Sequence, residues 1–78
     1  MWIIYIYDIK TKNKKEFNRV KRMFYYTFNK LPTQKFFFRT KSVLLVPPEY
    51  EQILDNFFNK FKPYLEVYKV RTKLVEEL

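Results

Sequence analysis

The sequence predicts an α+β domain of the ferredoxin-like class, βαββαβ, in which a four-stranded antiparallel sheet carries two helices on one face. Three observations lead to this prediction. The apolar pattern runs in the order strand, helix, strand, strand, helix, strand. The chain has 78 residues, the length of one small domain. Residues 33–47 leave room for two short strands but for no helix between them. We therefore expect one domain over residues 1–78, with residues 71–78 forming an extension or a flexible tail.

The first two elements are a buried strand and an amphipathic helix. Residues 2–9 are apolar and rich in β-branched and aromatic side chains, which is typical of a central strand. The polar, basic stretch 10–15 connects this strand to a helix that Pro32 ends. The helix is predicted from apolar residues at the three-and-four spacing of one buried stripe, namely Phe17, Val20, Phe24, Phe28 and Leu31.

The middle of the chain predicts an antiparallel hairpin. TQKFFFRT (33–40) and SVLLVP (42–47) read as two short strands that turn near Thr40 and Lys41. The three phenylalanines at 36–38 then lie on an edge strand, where alternate rings face opposite sides. We interpret the phenylalanines mainly as core and dimer contacts. A base-stacking sheet of the RNA-recognition type would need exposed aromatic residues on both central strands.

A second helix and a last strand complete the order. The helix is predicted to begin at Pro48, with Glu49 and Glu51 in its first turn, where the helix dipole favours acids. Pro63 ends it, and residues 64–70 form the last strand. The apolar face of this helix comprises Tyr50, Ile53, Leu54, Phe57, Phe58 and Phe61.

This topology leaves one face of the sheet bare. Both crossovers place their helices on the same side, and the strand order 4-1-3-2 puts the first strand in the centre. An uncovered face as apolar as this one would be a large exposed hydrophobic patch. Burial against a second copy is the simplest solution, so we expect a homodimer.

The residue types that are missing exclude several classes of protein. The chain has no cysteine, no histidine and no glycine. A zinc finger, a Ser-His-Asp triad, a Cys-His nucleophile and a Gly-rich phosphate loop are therefore excluded. No stretch approaches the length of a membrane span, and the first residues lack the pattern of a signal peptide. We expect a cytoplasmic protein with no membrane partner.

The charge balance favours nucleic acid as a partner. Lys and Arg number 16 against 8 acids, a net charge of +8, and such a field attracts polyanions. Between Lys10 and Arg22, seven basic residues are countered only by Glu16. We expect binding that weakens steeply with salt and depends little on sequence. The predicted phosphate contacts are Lys10, Lys12, Lys14, Lys15, Arg19, Lys21, Arg22, Lys35, Arg39 and Lys41. Tyr25 and Tyr26 lie off the buried stripe and are candidates for an exposed interaction.

Three short motifs suggest a family. They are YDI at 7–9, QKFFF at 34–38 and LEVYKV at 65–70. In these motifs and in its element order, the chain resembles the small CRISPR-associated adaptation subunit that bridges the spacer-integration complex. It also resembles the related virulence-associated protein D toxins. The resemblance implies a homodimer that binds DNA or RNA, an integrase-type partner protein and a role in antiviral defence. It also implies that Asp8 is the catalytic residue and the Mg²⁺ ligand of a metal-dependent nuclease, facing the partner subunit's Asp8.

Other interpretations remain open. Asp8 is also consistent with an ordinary acid at a strand end that caps the basic connection after it. Some members of the family resembled are non-catalytic scaffolds. The chain could also be a non-enzymatic interaction module, encoded by a mobile element, whose basic surface binds a partner protein. A third possibility is a toxin-like ribonuclease that shares Asp8 but cleaves RNA.

Overall fold

The computed structural model describes residues 1–78 and contains four strands and two α-helices. In chain order these are β1 (Trp2–Ile9), α1 (Lys14–Phe28), β2 (Phe38–Arg39), β3 (Val43–Val46), α2 (Glu51–Lys60) and β4 (Leu65–Thr72). The strands form one antiparallel sheet in the order β2-β3-β1-β4. The predicted ferredoxin-like α+β fold is confirmed, with β1 in the interior of the sheet.

Helix α1 begins inside the stretch that the sequence pattern assigns to the connection. Asn13 caps it, because the Asn13 side chain accepts a hydrogen bond of 2.9 Å from the backbone N–H of Glu16. The Glu16 carboxylate in turn accepts from the backbone N–H of Lys12 at 3.2 Å. The helix ends at Phe28, so the prediction that it reaches Leu31 is wrong. Leu31 precedes a proline, which disfavours helical backbone at that position.

The hairpin exists, but its first strand is shorter than predicted. Thr33–Lys35 form a short 3₁₀ turn, so the strand prediction over residues 33–40 is wrong except at Phe38–Arg39. Phe36, between the turn and the strand, is buried in the core. The turn after β2 is built without glycine. The Thr40 hydroxyl oxygen accepts from the N–H groups of Ser42 and Val43 at 3.1 and 3.0 Å, which supports a tight turn without positive φ angles.

The second half of the chain also departs from the prediction at its boundaries. Pro48–Tyr50 form a 3₁₀ turn, and α2 begins only at Glu51. Ile53, expected in the core, is 40% exposed. The later residues of the predicted apolar face are buried, namely Leu54, Phe57, Phe58 and Phe61. Strand β4 extends to Thr72 because Thr72 still pairs with Trp2 at the start of β1. The predicted tail therefore begins two residues later than expected.

The core lies between the helices and one face of the sheet. On β1, Ile3, Tyr5 and Tyr7 point towards the helices and are buried. Phe24 of α1 is fully buried, and its ring lies 5.0 Å from that of Phe57 and 5.6 Å from that of Tyr7. Eight of the twelve residues of the core cluster are aromatic, which is how a domain this small buries a large apolar area.

The other face of the sheet is bare, as the sequence predicts. Ile6 pairs with Tyr68, and Ile4 pairs with Val70, across the β1–β4 ladder. Ile6 is 44% exposed and Tyr68 is 59% exposed, because both helices pack on the opposite face. We call this surface of β1 and β4, with Phe38 on β2, the open face. Neither helix combines the length and the apolar character that a membrane crossing would require.

Candidate nucleic-acid interface

Positive charge is concentrated on one part of the molecule. Residues 10–41 contain eleven lysines and arginines and a single acid, Glu16. Residues 42–78 contain five basic and six acidic residues, which nearly cancel. The net charge of the chain therefore resides on α1, on the hairpin turn and on the segments that flank them.

A cleft formed by α1, the end of β1 and the β2–β3 hairpin, together with the adjoining surface of α1, brings together five of the ten predicted phosphate contacts. It consists of three adjoining hollows of about 660, 380 and 290 Å³, all lined by Lys21 and Tyr25. Lys15 and Arg22 line the hollow along α1, while Arg39 and Lys41 line the one that faces the hairpin. We call this surface the basic cleft. Its cations are Lys15, Lys21, Arg22, Arg39 and Lys41.

The cations of the basic cleft are free to bind an anion. The four ion pairs of the structure involve Lys10, Lys69 and Arg71, and none involves a cation of the cleft. Asp8, the partner of Lys10, is the one carboxylate that lines the cleft. The guanidinium of Arg39 lies 5.8 Å from the ring of Phe28, so the charged end of this side chain packs against α1. Five unpaired cations around one concave surface are an arrangement suited to a phosphate backbone.

Buried Tyr7 holds the hairpin against β1. Its hydroxyl donates to the carbonyl oxygen of Thr40 at 3.2 Å, and its backbone N–H donates to the carbonyl oxygen of Ser42 at 2.9 Å. The pKa of Tyr7 is raised to about 12, mainly by burial and to a smaller extent by neighbouring Tyr25, while Arg39 acts in the opposite direction. Tyr7 is therefore uncharged at neutral pH, and its hydroxyl remains the donor to the Thr40 carbonyl oxygen. This contact fixes the turn that carries Lys41, a role that the sequence pattern of a buried strand does not reveal.

The other five predicted contacts lie outside the cleft. Lys10 pairs with Asp8 at 3.1 Å, and this hydrogen bond raises the pKa of Lys10. The guanidinium of Arg19 lies 5.9 Å from the ring of Tyr64, next to the segment that leads into β4. The remaining three are exposed and line none of the three hollows; they are Lys12, Lys14 and Lys35.

Asp8, the predicted catalytic residue and Mg²⁺ ligand, lies at the end of β1 beside a second acid. Its cross-strand partner is Glu66 of β4, which sequence reasoning missed because the two residues are far apart in the chain. The Asp8 side chain is 69% exposed and pairs with Lys10. Glu66 accepts a hydrogen bond of 2.8 Å from the Tyr68 hydroxyl. The pair with Lys10 agrees with the interpretation of Asp8 as a strand-end acid that engages the basic connection.

The donor atoms at this position suit Mg²⁺ in type but are few. Mg²⁺ prefers oxygen ligands and often uses one or two carboxylates, with water and substrate phosphate completing its shell. Asp8 and Glu66 supply two carboxylates, and no group of three or more acidic, histidine or cysteine side chains occurs anywhere in the chain. One protomer could therefore hold such an ion only together with water, phosphate or a second copy.

An ion-pair network stabilises the side of the molecule away from the cleft. Lys69 of β4 binds Glu51 at 2.7 Å and Asp55 at 2.9 Å, and Arg71 also binds Glu51. The hydroxyl of buried Tyr5 donates to Asp55 at 2.7 Å. Burial opposes ionisation of Asp55, but the hydrogen bonds from Lys69 and Tyr5 prevail and lower its pKa. This surface is charge-balanced and ties α2 to β4.

Comparison with protein-family models, with curated proteins and with solved structures finds no match to this chain. The relationship to the CRISPR adaptation subunit therefore stays a prediction from short motifs.

Proposed function

We propose that the protein is a nucleic-acid-binding homodimer of the CRISPR adaptation subunit type, and that it binds the phosphate backbone in the basic cleft. The observation that carries this proposal is the cluster of five unpaired cations around one concave surface of a chain with net charge +8. Contacts from Lys and Arg to phosphates supply affinity without reading bases. Binding is therefore expected to be independent of sequence.

The open face supports the homodimer in this proposal. None of the strand residues on it is basic, and Asp8 and Glu66 lie at one end. A polyanion is not attracted to such a surface, whereas a second copy would bury Ile6, Tyr68 and Val70, which are all exposed. Lys15, Lys21 and Arg22 of the basic cleft lie on α1, on the helix side of the sheet, so a dimer formed through the open face would leave these cations accessible. Asp8 belongs both to the cleft and to the end of the open face.

The direct test reverses charge inside and outside the cleft. The variant Lys21→Glu/Lys41→Glu is expected to lose binding to labelled DNA and RNA oligonucleotides in a fluorescence anisotropy titration. The variant Lys60→Glu/Lys73→Glu has the same net charge but changes exposed residues outside the cleft, so it should retain most of the wild-type affinity. Equal losses in the two variants would show that binding follows net charge alone and would contradict the assignment of the cleft.

A second candidate function, metal-dependent cleavage, is favoured by one observation. Asp8 and Glu66 are cross-strand neighbours on the open face, so a dimer through that face could bring the acids of both protomers to the interface. These carboxylates would hold Mg²⁺, which in such a site lowers the pKa of a bound water. Loss of Mg²⁺-dependent cleavage in Asp8→Ala, with dimer and binding retained, is the expected result. Cleavage at the wild-type rate in Asp8→Ala, or none in the wild type, would reject this function.

The same cleavage assay separates the alternatives. Cleavage of RNA alone would favour the toxin-like ribonuclease, and cleavage or binding of DNA would favour the adaptation subunit. The adaptation type also implies an integrase-type partner protein, which co-purification with an integrase encoded beside this chain would test. A protein that binds neither nucleic acid but retains a protein partner would instead be an interaction module.

A further inference from the structure

Resting on the proposed function, we propose that the basic cleft takes single-stranded nucleic acid and that Tyr25 stacks against an unpaired base. Tyr25 lines all three hollows of the cleft, together with Lys21. Of the cleft's other aromatic side chains, Tyr7 and Phe28 are fully packed in the core, and half-buried Phe17 lines only one hollow, where its ring lies 6.0 Å from the Lys21 ammonium. Tyr25 is only half-buried, so part of its ring surface faces the cleft.

The ring of Tyr25 is held in place by its neighbours. Phe24 lies 5.1 Å away at an interplanar angle of 84°, and Phe28 lies 6.3 Å away at 79°. No aromatic ring of the chain stacks parallel to Tyr25, which leaves that role to a ligand. A ring fixed in advance loses little conformational freedom when a base stacks on it.

The charges around Tyr25 are placed for a strand and not for an isolated base. Lys15 and Arg22 lie along α1 on one side of it, and Arg39 and Lys41 lie across the cleft on the other. An aromatic residue within a positive groove that follows the backbone is the pattern by which proteins bind single strands. A duplex keeps its bases stacked inside and would use the cations but not Tyr25.

The size of the cleft agrees with this inference. The hollow between α1 and the hairpin measures about 380 Å³, within the roughly 300–1,000 Å³ of sites that enclose one small-molecule ligand. One nucleotide with its base turned towards Tyr25 belongs to that size class, whereas a double helix could only lie across the opening.

The test compares the affinities of the protein for base-bearing strands and for an abasic strand of the same length. Labelled oligothymidylate, oligouridylate and an abasic strand, each of about 12 nucleotides, carry nearly the same charge. Wild-type protein is expected to bind at least one base-bearing strand about 5- to 150-fold more tightly than the abasic strand, the usual range for stacking on one aromatic residue. Tyr25→Ala should reduce that affinity to the abasic level, Tyr25→Phe should preserve it, and affinity for the abasic strand should not change.

Tyr26 provides the matched control. It is the next residue on α1, is 68% exposed and lies with its ring 4.2 Å from the Lys30 ammonium, outside the cleft. Tyr26→Ala should leave all affinities unchanged. The inference is overturned if wild-type protein binds the abasic strand as tightly as the others, if it prefers a duplex of equal length, or if Tyr26→Ala matches Tyr25→Ala. In those cases, salt-dependent binding to the strands would still support the proposed function. Absence of binding to any strand would reject both the proposed function and the role of Tyr25.

Discussion

Neutralising two cations of the basic cleft should change the salt dependence of binding by a calculable amount. The perturbation is Lys21→Gln/Lys41→Gln, which removes one charge from α1 and one from the hairpin while keeping side chains of similar size. Both residues are exposed and form no ion pair, so the fold should tolerate the change. The measured quantity is the slope of log Kobs against log salt concentration.

The magnitude follows from the number of cations in the cleft. Each phosphate neutralised on a single strand contributes about −0.7 to the slope. The five cations of the cleft therefore predict a slope of about −3.5, and the three left in the variant predict about −2.1. Between 50 and 200 mM salt, wild-type affinity should fall by roughly 130-fold and that of the variant by roughly 20-fold.

The assay is a series of anisotropy titrations over this salt range with a labelled single strand. The control is Lys60→Gln/Lys73→Gln, which has the same net charge as the cleft variant but changes residues outside the cleft. Its slope should stay near that of the wild type. A cleft variant with an unchanged slope, or a control with the same reduction, would refute the conclusion that these five cations contact phosphates.

Three further predictions concern the assembly and the fold. Ile6→Lys places a charge on the open face and should give a monomer in sedimentation equilibrium at concentrations where the wild type is a dimer. The control, Ile53→Lys on α2, should remain a dimer at those concentrations. Phe24→Ala should lower the free energy of unfolding by about 3–5 kcal/mol, measured by urea titration; a loss below about 1 kcal/mol would contradict full burial of that ring. Because the pKa of Asp55 is lowered on folding, its contribution to stability is present above about pH 4 and disappears as pH falls through the folded pKa. Asp55→Asn should therefore have a lower free energy of unfolding than wild type at pH 6. Between pH 5 and 2, the free energy of unfolding should fall by less in this variant than in wild type. Parallel curves of the free energy of unfolding against pH would refute the role of Asp55.

The sequence alone determined the order of the elements and the identity of most core residues. Periodicity records which side of each element faces the interior, so the apolar run from Trp2 to Ile9 and the stripe through Phe24 and Phe28 predicted a central strand and a buried helix face. Element boundaries were less predictable because they depend on local hydrogen bonds. Asn13 caps α1, so the helix begins at Lys14, before Phe17, the first residue of its apolar stripe. Pairing with Trp2 extends β4 to Thr72.

The composition also predicted a basic surface, but not its shape. Ten cations were candidates on equal terms, and only the packing of α1 against the hairpin separates the five that share a cleft from the five that do not. Likewise, nothing in the local pattern singles out Tyr25 above Tyr26. Adjacent helix residues point about 100° apart, so one lines the cleft and the other faces away from it.

Tertiary structure alone decided which distant residues became neighbours. Glu66 lies beside Asp8 because the β1–β4 register places them opposite each other, and Asp55 meets Tyr5 because α2 packs across β1. A periodic pattern specifies the face on which a residue lies, since burial of apolar area is a local property of that residue. The partner across that face depends on strand register and on the path of the connections, and these are fixed only when the whole chain packs.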